Sequence, residues 1–79
     1  MDKQEILAQA LAARQQEIMH YQINIDNYTM AIEHITASGD SDLDDFKQQL
    51  ISLLATEKLE QKKSKVIHDV IQQQLTAGL

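Results

Sequence analysis

One residue pattern limits the fold of this chain more than any other. Leu7, Leu11, Arg14, Ile18, Tyr21, Ile25, Tyr28, Ile32 and Ile35 follow steps of four and three without a slip. All but Arg14 are apolar or aromatic, and only a helix gathers residues at that spacing onto one side, as the seam of a coiled coil. Tyr21 to Ile25 alternates like a short strand, but it lies inside the much longer helical pattern and is read as helix.

Punctuation agrees with long helices. Proline is absent, and glycine occurs only at Gly39 and Gly78, so nothing breaks the stretches between them. Asp2 with Glu5 three residues on forms a helix-starting capping pair, and Ser41 with Asp44 repeats it. Ser38-Gly39 supplies a left-handed stop. The expectation is an all-α, single-domain hairpin: a helix over about 2–37, a turn over about 38–41, and a helix over about 42–77. Each helix would be about 54 Å long at 1.5 Å per residue, and so short a link folds them back antiparallel.

The first helix has apolar residues away from its seam. Met19, Ile23 and Met30 lie on its far side, and Ile6, Ala10 and Ala13 widen one flank. A two-helix hairpin covers one stripe, so a helix apolar on opposite sides calls for another chain. This predicts assembly into a dimeric four-helix bundle or a higher helical oligomer. It makes Met19, Ile23 and Met30, together with Ile18, Tyr21, Ile25 and Tyr28, the candidate interface for self-association or a protein partner.

In the second helix Leu43, Phe46, Leu50, Leu53 and Leu54 make one apolar end, and Val66, Ile67, Val70, Ile71 and Leu75 the other. The polar waist between them, Thr56 to Lys65, falls opposite Arg14 to Tyr21 in an antiparallel hairpin. Glu57 or Glu60 is expected to pair with Arg14 and to accept from the Tyr21 hydroxyl. Such a waist fixes register more than it adds stability.

Seven Lys and Arg against twelve Asp and Glu give a net charge of −5, the wrong sign for a nucleic-acid footprint. The acids cluster: Asp40, Asp42, Asp44 and Asp45 sit at the hairpin tip, while the chain from Phe46 on has five lysines against Glu57, Glu60 and Asp69. Helix capping explains the tip, and four carboxylates also steer association with a basic partner. The tip lacks the glycine and final glutamate of a calcium loop.

Other chemistry is thinly represented. Glu17 and His20 have the spacing of a di-metal bundle motif, but Ile18 and Tyr21 hold the seam and leave them flanking it. A di-metal four-helix enzyme is therefore the remote alternative. Without cysteine or a phosphate-binding loop, and without the concavity a hairpin lacks, neither enzyme activity nor a cofactor is expected. Lys58, Lys62, Lys63 and Lys65 read as a solvated face with a Glu60–Lys63 pair. No apolar run is long enough to cross a bilayer and no signal peptide is seen, so a cytoplasmic protein is expected.

Short, acidic, free of cysteine and helical throughout, the chain resembles in overall character the small phage-encoded regulators of the Qtip-like antirepressor type. The resemblance matches no individual residues. It implies a protein that binds and sequesters a transcriptional repressor. The combined expectation is a non-enzymatic binding module: it associates with itself and holds a protein such as a DNA-binding repressor, without contacting nucleic acid, membrane or a small substrate. An assembly or chaperone coiled coil that mainly self-associates is the alternative.

Overall fold

The computed structural model describes residues 2–78. Two helices, α1 (Lys3–Ser38) and α2 (Asp44–Ala77), are joined through a single 3₁₀ turn at Ser41–Leu43, and the described residues contain no strand. The antiparallel hairpin measures 57 × 15 × 14 Å, a length that matches one helix of this size. Both expected helices are present, with bounds shifted by one or two residues.

Local chemistry sets the ends. The Asp2 carboxylate accepts from the Glu5 amide at 2.8 Å and starts α1. Gly39 ends it at φ 65°, where its N–H donates to the Ile35 carbonyl at 3.3 Å. A side chain in that left-handed conformation would be strained, so glycine suits the stop. The start of α2 differs from expectation. Asp40, not Ser41, is the capping residue: its carboxylate accepts from the Asp42 amide at 3.0 Å and opens the 3₁₀ turn. α2 then follows Leu43 with no side-chain cap.

Cross-helix contacts define the register. The Gln61 side-chain amide donates to the Ile18 carbonyl at 3.2 Å and to Gln22 Oε1 at 3.0 Å. Gln15 reaches His68 at 3.4 Å, and the Gln4 side chain lies against Gly78. The waist of α2 thus lies beside the Arg14–Gln22 stretch of α1, as an antiparallel hairpin turning near Gly39 predicts.

Burial shows what forms the seam. On α1 the expected residues, Leu7 through Ile35, are all buried or half-buried. On α2 the inward residues step four and three from Leu43 through Lys47, Leu50, Leu54 and Glu57 to Gln61, Ser64, His68, Ile71 and Leu75. Half of that seam is polar. Leu50 and Ile71 anchor its two ends, while Gln61 and Ser64 are buried at its centre. Phe46, Leu53, Val66, Ile67 and Val70 belong to the apolar ends in the sequence but face outward.

Candidate interaction surface

The apolar positions of α1 divide by the side they face. Ile25 is buried, and Ile18, Tyr21 and Tyr28 are half-buried against α2. These four are taken up within the chain itself. Met19, Ile23 and Met30 stay open, at 63%, 52% and 65% exposure. They are spaced four and seven residues apart on the side away from the seam, so they form one stripe.

α2 carries a second outward group that sequence reading did not separate from the seam. Phe46, Leu53, Ile67 and Val70 are each close to half exposed, and Leu59 and Val66 extend the same surface. A signal for it was present: Phe46, Leu53 and Ile67 share one heptad position, which cannot also be the position of Leu43 and Leu50. The two helices therefore expose apolar surface on more than one side of a rod 15 Å thick.

The waist is wired differently from expectation. Arg14 pairs within its own helix, its guanidinium donating to Glu17 Oε1 at 3.1 Å, rather than with Glu57 or Glu60. The shorter path wins because Glu17 is one turn away on the same face. Tyr21 makes no side-chain hydrogen bond to either glutamate among the described residues. Its phenol is nevertheless held above the ordinary value of 10.0, first by lost hydration in the seam, then by Glu17, Glu60 and Glu57, with Arg14 acting in the opposite sense. Glu57 Oε2 and Ser64 Oγ are buried with no hydrogen-bond partner, a local cost of the polar centre. The Glu60–Lys63 pair forms as expected, at 3.0 Å.

The tip residues Asp40, Asp42, Asp44 and Asp45 are all exposed. Asp40 is engaged in capping, and Asp44 and Asp45 lie in the first turn of α2, where negative charge is favoured. Glu17 is occupied by Arg14 while His20 points to solvent, so the two do not converge. Among the described residues no group of three or more acidic, His or Cys side chains is placed to hold a metal ion. A shallow depression open to solvent runs along Gln48, Gln49, Ser52 and Leu53 on α2. No helix among the described residues is long and apolar enough to cross a membrane.

The chemistry available to this surface is therefore association through apolar side chains bordered by charge. Comparison with known protein families, curated proteins and solved structures finds no match to this chain.

Proposed function

We propose that the chain is a non-enzymatic protein-binding module that holds its partner on the outer side of its helical hairpin. One observation carries the reading: Met19, Ile23 and Met30 stand exposed in a single stripe although the seam of α1 is already filled. Methionine side chains are flexible and polarisable, which suits a surface that receives another protein's side chains. In its narrower form the partner is a DNA-binding repressor. The carboxylates of Asp40, Asp42, Asp44 and Asp45 would steer the basic face of such a protein toward the hairpin, and holding it there would keep it from its operator.

The test is capture from native lysate with tagged chain, followed by mass spectrometry, in wild type and in Met19→Asp plus Ile23→Asp. Loss of a specific DNA-binding protein in the double variant, with helicity unchanged, supports the reading. Equal capture by both forms contradicts it. Charge reversal of Asp42, Asp44 and Asp45 tests the tip separately: faster and more salt-sensitive association with wild type than with the variant is the expected result.

A further inference from the structure

The outward side of α2 contains a stripe with an internal symmetry. Phe46 and Leu53 lie at one end, Glu60 and Lys63 in the middle, and Ile67 and Val70 at the other end. Their separations fit two adjoining positions of a heptad: Phe46, Leu53, Glu60 and Ile67 share one, Lys63 and Val70 the other. In an antiparallel coiled coil, residues of one such position face residues of the other. Turned end for end, this stripe faces itself in register. Leu53 then meets Val70, Phe46 meets Ala77, Ile67 meets Thr56, and Glu60 meets Lys63, with the two-fold axis passing between Gln61 and Lys62.

We infer that this stripe binds a second copy of the chain, antiparallel along α2. The inference rests on the reading of the hairpin as a module that works through its outward surfaces, and it assigns the α2 side to self-association. Charge complementarity selects the occupant and the direction. In the antiparallel pair Glu60 of each copy faces Lys63 of the other, so the contact occurs twice by symmetry; a parallel pair would set Glu60 on Glu60 and Lys63 on Lys63. Both side chains are free to exchange partners, being 40% and 62% exposed in their present pairing within one helix. An isologous contact of this kind closes at two chains.

Area permits the same conclusion. The single chain of 9.0 kDa exposes 5782 Å², whereas a compact monomer of that mass typically exposes about 4,850 Å². The elongated 57 × 15 × 14 Å shape accounts for the excess, and it leaves a long side on which the roughly 800 Å² that each partner buries in a standard interface can be accommodated. Four large apolar side chains on the stripe, each 42–49% exposed, supply the apolar part of it.

Sedimentation equilibrium on the full chain tests the register. Wild type is expected to be a dimer at micromolar concentration. Glu60→Lys alone and Lys63→Glu alone each place like charges across the axis twice, and each should weaken the dimer about tenfold or more. An equimolar mixture of the two variants should recover association, since each supplies the charge the other lacks, and the double exchange Glu60→Lys with Lys63→Glu should recover it as well. Leu53→Asp should leave a monomer whose helicity by circular dichroism matches the wild type; should that variant fail to fold, the mixing experiment still decides. A monomeric wild type overturns the inference, as does a dimer indifferent to both single reversals. So does a dimer lost only with Met19→Asp plus Ile23→Asp. Partner capture through Met19, Ile23 and Met30 is read independently, so either proposal can fail while the other stands.

Discussion

The inner and outer sides of α2 are laid out alike and end in opposite situations. Each has apolar residues at both ends and polar ones at the centre: Leu50, Gln61 and Ile71 inside, Leu53, Glu60 and Ile67 outside. The inner side finds its complement in the chain itself, where α1 offers Ile18, Ile25 and Ile35, and Gln61 bonds across to Ile18 and Gln22. The outer side has no such mate within the hairpin. Patterning alone does not tell the two apart. What distinguishes them is which side the short turn brings against α1: rotating α2 by one residue would have set Phe46, Leu53, Ile67 and Val70 in the seam.

The largest expected difference between the sides comes from removing a leucine on each. Leu50 is 4% exposed, and Leu50→Ala should cost about 2–4 kcal/mol in urea unfolding, through lost burial and the cavity left behind. Leu53→Ala, measured at concentrations where the chain is monomeric, should cost less than about 1 kcal/mol. Equal losses would mean that the outer side is packed in the single chain as well.

A smaller effect sharpens the comparison at the waist. Ser64 is 2% exposed with its hydroxyl unpartnered. Ser64→Ala should therefore raise stability by about 1 kcal/mol, because a buried donor without a partner is a net cost. A loss of stability instead would show that the hydroxyl is bonded in solution.

The smallest effect is a pH dependence. In the unfolded chain Tyr21 releases its proton near the ordinary phenol value, while the seam, with Glu17, Glu60 and Glu57 nearby, holds the folded proton to higher pH. Raising pH above 10 then favours the unfolded chain, and the contribution that is present below that value is lost. The thermal midpoint of wild type should fall more steeply than that of Tyr21→Phe between pH 9.5 and about 11. Parallel curves would place the Tyr21 hydroxyl in full solvent.

Much of this was legible in the residues. The α1 seam, the two helices, the stop at Gly39 and the opposition of the waist to Arg14–Tyr21 all follow from spacing and punctuation. Three features did not. The α2 seam was hidden because Lys47, Glu57, Gln61, Ser64 and His68 occupy it, while seven large apolar residues lie off it; hydrophobicity marks a helix with two stripes but does not rank them. The Arg14 partner was misassigned because a glutamate one turn away outcompetes one across the interface. The α2 cap moved because Asp40 closes a 3₁₀ turn before the α-helix begins. Of the seven residues read as an interface, Met19, Ile23 and Met30 are open, and the other four serve the hairpin.

The most direct test of the two-sided account is a pair of spin-label distances. The chain has no cysteine, so Gln48→Cys and Lys62→Cys each give one label per copy at the same heptad position, off the proposed contact. Antiparallel pairing about the axis between Gln61 and Lys62 predicts nearly adjacent labels at Lys62. At Gln48 it predicts labels separated by about 40 Å along the helix, from 1.5 Å per residue. Similar short distances at both sites, or no interchain distance at either, would contradict it.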